Sequence, residues 1–252
     1  NSNTYILCVS ENTRKDLLNF IKTDIDSKKT FVTYIASAQI LKPIDNVSLL
    51  ELTLKKYYKK HLNSKKYILS FCTLEPRKNI IFTIKCFIKF IIKHNINDLY
   101  FLLGGEKWHA FNNEFNKTVN KYNENLKSKI IALGYIDDKD INIFYSHALF
   151  FVYLSQYEGF GMPPLEAMQT GTPVIASNNS SLPEVIGEAG LLIPYNDENE
   201  CIKAFETMYF NVTQREQCIK KGFEQANKFS WDITLDKISK IIISTQDGCV
   251  KH

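Results

Sequence analysis

The sequence predicts an α/β protein with a Rossmann-like, doubly wound parallel sheet, and three observations predict it. Short apolar runs alternate with longer amphipathic stretches, the rhythm of a parallel sheet covered by helices. From Tyr67 onward this rhythm gives about six strand–helix units, enough for one doubly wound domain. The segments that follow the strands hold unusual Gly, Pro and charged residues, and an open parallel sheet binds ligands at those ends.

Tyr5–Val9 reads as a strand, a helix opens at Ser10 or Asn12, and Phe31–Ile35 is a second apolar run. This material stands apart from the regular pattern and reads as the trailing edge of another domain. Lys42–Lys66 is polar, carries Pro43 and holds the basic run Lys55-Lys56-Tyr57-Tyr58-Lys59-Lys60-His61, so it reads as a linker with one amphipathic helix. Strands are then expected at Tyr67–Cys72, Leu99–Leu103, Ile130–Leu133, Leu149–Leu154, Pro173–Ala176 and Gly190–Ile193. Helices are expected near Asn79–Lys93, Asn112–Asn125, Asp138–Ser146, Pro164–Gln169, Leu182–Gly187 and Glu198–Phe210, with two more reaching Ser244.

A chain of 252 residues can bury a substantial core, as one large domain or two small ones. Its net charge of +4 accommodates an anionic small ligand or an acidic membrane surface, and it is too weak to argue for nucleic acid. The six cysteines form no CxxC pair, which argues for reduced thiols in a cytoplasmic setting and against a structural zinc site. No segment approaches the roughly 20 apolar residues that span a bilayer. The N-terminus lacks the charged-then-apolar pattern of a signal peptide, and the absence of an initiating Met fits a fragment or a processed form. The Lys55–Lys66 run allows either a solvated interdomain linker or a peripheral contact with an anionic membrane.

Four loops carry the candidate chemistry. After the first regular strand, Thr73-Leu-Glu-Pro-Arg77-Lys78-Asn79 sets two cations just before a helix. A planar Arg fork beside a Lys point charge suits a diphosphate, and a solvated basic turn is the alternative. Gly104-Gly105-Glu106 lets the backbone approach a ligand at Gly105, or simply turns the chain. Gly134-Tyr-Ile136-Asp-Asp138 places a carboxylate that could accept the two N–H donors of guanine, which uracil lacks; Asp138 could equally be a helix N-cap. The most informative loop is Glu158-Gly159-Phe160-Gly161-Met-Pro-Pro-Leu-Glu166. Its glycine amides lie at the start of a Pro-initiated helix, with Glu166 expected in the first turn. One carboxylate can accept both hydrogens of a ribose diol while the other holds sugar hydroxyls, an arrangement suited to a sugar–diphosphate. Read alone, both glutamates could be ordinary helix and loop charges.

These residues resemble glycosyltransferase family 4. The resemblance rests on Thr73-Leu-Glu-Pro-Arg77-Lys78-Asn79, Gly134-Tyr135, Tyr157-Glu158-Gly-Phe-Gly-Met-Pro-Pro-Leu-Glu166-Ala-Met, Gly171-Thr-Pro-Val-Ile-Ala-Ser and Ser181-Leu-Pro-Glu184, in order. It is strongest with bacterial mannosyltransferases that build O-antigen, and Val9-Ser-Glu-Asn-Thr-Arg14 resembles the family's segment near the end of its N-terminal domain. The resemblance implies a GT-B architecture, two Rossmann-like domains with the active site between them, this chain being the C-terminal donor-binding half. Residues 1–40 would then be a remnant of the acceptor domain, 41–66 a linker, 67–230 the nucleotide-sugar-binding domain, and 231–252 a crossover helix and tail.

By the same resemblance, Glu166 binds the ribose, Glu158 and the Gly159–Gly161 backbone hold the transferred sugar, and Lys78 meets the diphosphate. The implied reaction retains anomeric configuration without a metal or cofactor, takes GDP-mannose in preference to UDP-sugars, and has a glycan or lipid-linked acceptor. It would run in the cytoplasm or peripherally at the inner face of the membrane. Two departures qualify this. Many members carry Gly-Arg where this chain has Cys72-Thr73, leaving Arg77 to compensate, and most of the N-terminal domain is absent, so the chain alone is expected to be inactive. A non-catalytic scaffolding subunit is the competing reading, although both motif carboxylates are present. A nicotinamide-dependent dehydrogenase lacks support, since the first strand–helix turn has no Gly-x-Gly-x-x-Gly.

Overall fold

The fold was obtained as a computed structural model, which describes residues 4–21, 26–37, 41–59, 66–106 and 109–247. At the N-terminus, β1 (Ile6–Cys8) and β2 (Thr30–Val32) pair in parallel through the crossover helix α1 (Glu11–Phe20). Helix α1 starts where the sequence indicates: Ser10 is its N-cap and accepts from Thr13 N at 3.0 Å.

The segment expected to be a linker holds α2 (Val47–Tyr57), N-capped by Asn46. Leu50 and Leu54 of this amphipathic helix are buried in the main core. At its end, Lys56 Nζ reaches Asp137 at 2.5 Å and Asp140 at 2.6 Å, while Tyr57 donates to Asp140 at 2.6 Å. Of the basic run weighed for membrane contact, residues 60–65 lie outside the described residues. No described helix is long and apolar enough to cross a membrane.

The expected doubly wound sheet is present. Its strands are β3 (Lys66–Phe71), β4 (Leu99–Gly104), β5 (Ile130–Gly134), β6 (Phe151–Tyr153), β7 (Val174–Ser177) and β8 (Gly190–Ile193). All pair in parallel, in the order β5-β4-β3-β6-β7-β8. Each strand feeds both faces. Tyr67, Leu69 and Phe71 of β3 enter one core cluster and Ile68 the other; in β6, Phe151 and Tyr153 oppose Val152. Burial on both faces is why these strands read as unbroken apolar runs.

The helices α3 (Ile80–Lys93) and α9 (Glu198–Phe210) pack together over the second cluster. The other face is covered by α2, α6 (Asp138–Ser146), α7 (Met162–Gln169) and α8 (Leu182–Ile186). Helices α10 (Val212–Ala226) and α11 (Trp231–Asp247) complete the described residues.

Two helix boundaries differ from expectation for local reasons. The stretch expected as one helix over 112–125 is two, α4 (His109–Val119) and α5 (Glu124–Lys127), because Asn123 caps α5 by accepting from Leu126 N at 3.0 Å. Asn79 precedes α3 in a left-handed conformation (φ 59°), after a single 3-10 turn at Pro76–Lys78.

Candidate active site

Strand order reverses between β3 and β6, so the chains leaving these neighbours diverge and open a crevice at their carboxyl ends. All the loops singled out in the sequence converge on this edge of the sheet.

The β3–β6 side of the crevice is charged. Lys78 Nζ lies 2.6 Å from Glu158 Oε1 and donates to the Tyr153 hydroxyl at 2.7 Å. Arg77 reaches the other Glu158 oxygen at 3.2 Å and Glu75 at 2.6 Å, and also donates to the Tyr157 carbonyl. The backbone ties the same loops together, with Gln156 N donating to Arg77 O at 2.9 Å. Both Lys78 and Glu158 side chains are only 10% exposed, so the pair is largely withdrawn from solvent screening. Burial on its own would raise the Glu158 pKa, yet the Lys78 hydrogen bond and charge outweigh it, with help from Arg77, and hold the carboxyl below its ordinary value. Lys78, 80 residues away in sequence, and its neighbour Arg77 therefore meet an internal anion, Glu158. Tyr153 escaped sequence reasoning because a tyrosine in an apolar strand reads as core. The available signal was its place at the strand's end, where a buried hydroxyl needs a partner.

The β4–β5 side is a cavity of about 360 Å³. Cys72 and Thr73 line it from the β3 loop, Gly105 from the β4 loop, Ile136 and Asp138 from the β5 loop, and Glu166 from α7. Glu166 is partly buried. Its Oε2 accepts from the Tyr145 hydroxyl at 3.0 Å. Burial, reinforced by the Asp138 charge and opposed by the Tyr145 hydrogen bond, pushes its pKa up to about 7. The cavity is mainly apolar and is lined by three carboxyl side chains, those of Glu106, Asp138 and Glu166.

Three expectations are corrected here. Asp138 is not the N-cap of α6: Asp137 occupies that position, and Asp138 is the first helical residue and faces the cavity. Glu166 is the fifth residue of α7, two residues deeper than expected and past the first turn, because the helix starts at Met162 behind Gly161 (φ 116°). Gly105 does more than turn the chain: its φ of 127° favours glycine, it lines the cavity, and a Cβ there would lie 1.9 Å from Cys72 O, so the backbones of the first two loops cross at van der Waals contact. Among the described residues, no group of three or more His, Cys, Asp or Glu side chains is placed to hold a metal ion.

Comparison with known proteins places this geometry. An O-antigen chain mannosyltransferase B of Escherichia coli is 32% identical over 227 residues, covering 90% of this chain and 57% of the relative. The chain thus spans little more than half of that relative's length. A glycosyltransferase of Rickettsia africae superposes with a TM-score of 0.80 at 20% identity, over 97% of this chain and 64% of the other. Anabaena HepE, solved with UDP and glucose, gives 0.80 at 16% identity, over 95% of this chain and 63% of the other. The family model described as "Glycosyl transferases group 1" matches residues 55–225, the span that holds both halves of the crevice, and the chain belongs to this family.

Proposed function

We propose that the chain is the donor-binding part of a retaining hexosyltransferase, with a nucleoside-diphosphate hexose as donor and GDP-mannose preferred. One observation carries this reading: a cavity of nucleoside size, bearing Glu166 and Asp138, opens beside the buried Lys78–Glu158 pair. In this scheme Glu166, once ionised, accepts both hydroxyls of the ribose. Ile136 packs against the base, and Asp138 accepts from the N–H edge that guanine has and uracil lacks. The diphosphate lies toward Lys78 and Arg77, which stabilise the negative charge that grows as the bond from the anomeric carbon breaks. Glu158 and the amides of Gly159–Gly161 hold the hexose over that bond.

The acceptor, a glycan or a lipid-linked saccharide, would be held across the crevice by an N-terminal domain, so transfer needs more than these 252 residues. No metal or cofactor enters the scheme. The relatives support mannose as the sugar, since O-antigen mannosyltransferase B is among them. The deciding experiment is isothermal titration of GDP-mannose, GDP, UDP-glucose and UDP into the chain. Binding of GDP-mannose above UDP-glucose is expected. A preference for the uridine ligand would remove the guanine assignment, and no binding of any of the four would remove the donor site.

A further inference from the structure

The carbonyls of the glycine loop at 158–161 all accept hydrogen bonds within the fold. Ser181 Oγ, fully buried, lies 2.9 Å from Glu158 O and 2.6 Å from Phe160 O. The carbonyl between them, Gly159 O, accepts from Thr13 Oγ1 at 3.0 Å, and that hydroxyl in turn accepts from Ser10 Oγ at 2.8 Å. Glu158 N is also used, donating to Ser180 Oγ at 3.0 Å. By contrast, the amides of Gly159, Phe160 and Gly161 meet no acceptor among the described residues. Three consecutive amides are thus left open beside carbonyls that are all occupied, which makes them donors available to electronegative atoms.

Gly159 adds an independent observation. It is not in a left-handed conformation, and the nearest atom to an added Cβ would be Thr13 Oγ1 at 3.9 Å, ordinary contact. Nothing in the fold demands a glycine there, so the space is available to a ligand.

One holder of this loop comes from the N-terminal segment, 146 residues away. That segment is seated by Glu184, three residues after Ser181. Its carboxylate accepts from Glu11 N at 2.8 Å, Asn12 N at 3.0 Å and the Tyr34 hydroxyl at 3.1 Å. Glu184 thus takes up first-turn amides of α1, which have no acceptor within their own helix. Thr13 sits in that same turn.

We infer that Thr13 is a positioning residue for the donor sugar: its hydroxyl fixes Gly159 O and with it the Phe160 amide of the same peptide plane, beside the Gly159 and Gly161 amides whose planes Ser181 holds, and Glu184 ties sugar recognition to the seating of the N-terminal segment. This rests on the donor-site reading above. It assigns to residues 10–13 a part in donor recognition that is separate from any contact with an acceptor.

The test is isothermal titration of GDP-mannose and GDP into the full chain, as wild type, Thr13→Val and Thr13→Ser. Valine keeps the shape and removes the hydroxyl; serine restores it. Thr13→Val should weaken GDP-mannose about five- to tenfold, the scale of one well-placed hydrogen bond, and leave GDP within about twofold. Thr13→Ser should match wild type. Ser181→Ala, which frees the two flanking carbonyls, should act in the same direction and serves if the valine variant does not fold. Unchanged GDP-mannose affinity in Thr13→Val, or equal weakening of both ligands, would overturn the inference and leave the donor site standing. A wild-type chain that binds neither guanine nor uracil nucleotides would overturn the donor-site reading and this inference together.

Discussion

The two sides of the crevice differ in how far their polar groups are already paired. On the β3–β6 side, Glu158 meets Lys78 and Arg77, and Lys78 also meets the Tyr153 hydroxyl. On the β4–β5 side, Glu166 has the Tyr145 hydroxyl at one oxygen and a negatively charged neighbour in Asp138. Glu158 is buried and Glu166 partly so, yet the first is held below its usual pKa and the second is pushed up to about 7. A ligand entering the cavity satisfies groups that burial has left poorly paired, so each hydrogen bond it makes adds to affinity. A diphosphate entering the charged side must share cations already engaged by Glu158, and gains less. In the proposed scheme the nucleoside side therefore supplies grip, and the charged side supplies a preorganised field.

The sharpest way to break this contrast is Lys78→Met. It leaves buried Glu158 with Arg77 at 3.2 Å as its nearest cation, and should cost on the order of 3 kcal/mol of stability by chemical denaturation. It should also abolish measurable binding of a nucleotide-sugar. Wild-type stability would mean that the charged side is not preorganised by this pair.

Next in size is the pH response of Glu166. The folded carboxyl holds its proton up to about 7, against 4.5 ordinarily, so the folded state binds more protons than the unfolded state between those values. Its contribution to the stability of the ligand-free chain is present in full below pH 4.5 and is lost as pH rises through about 7. Ribose binding should run the other way and strengthen across the same window, because only the ionised carboxylate accepts both hydroxyls. Glu166→Gln should remove both dependences, seen as flat profiles in thermal melts and in titrations at pH 6 and pH 8 (roughly one unit either side of the folded pKa). A pH dependence retained in that variant would assign the effect to another group.

Gly159→Ala separates ligand space from fold. With no close contact at the new Cβ, stability should stay within about 0.5 kcal/mol of wild type, while affinity for the hexose-bearing ligand drops more than affinity for the bare diphosphate. The smallest change is expected from Lys56→Met. Its partners Asp137 and Asp140 sit near the cavity, but Lys56 is solvent-exposed, so melting should barely move. A large loss of nucleotide affinity there would show that α2 shapes the nucleoside side.

The sheet was legible because its strands are buried on both faces, so runs such as Tyr67–Phe71 and Leu99–Leu103 stand out without alternation. Glu158, Glu166 and Lys78 were legible as motif residues on loops after strands. Their mutual arrangement was not: the Lys78–Glu158 contact joins residues 80 apart, and local spacing carries no sign of it. The same limit hid Ser181 and Thr13, ordinary cap-forming residues by sequence, whose hydroxyls meet carbonyls 21 to 146 residues away. Asp137 and Asp138 show a finer limit. Either could open the helix, and a one-residue difference decides which side chain faces Lys56 and which faces the cavity.

The crossing at Gly105 gives the crevice a mechanical character. Where the loops after β3 and β4 touch backbone to backbone, Cys72 N also bonds Gly104 O, Leu74 N bonds Glu106 O, and Gly105 N bonds Gly134 O of β5. Three consecutive loops are stitched into one rim that cannot splay strand by strand, so this wall of the cavity behaves as a fixed jaw. Motion that admits or releases a ligand then falls to the parts fastened by side chains alone, and the hydroxyl and carboxylate fastenings of α1 are of that kind.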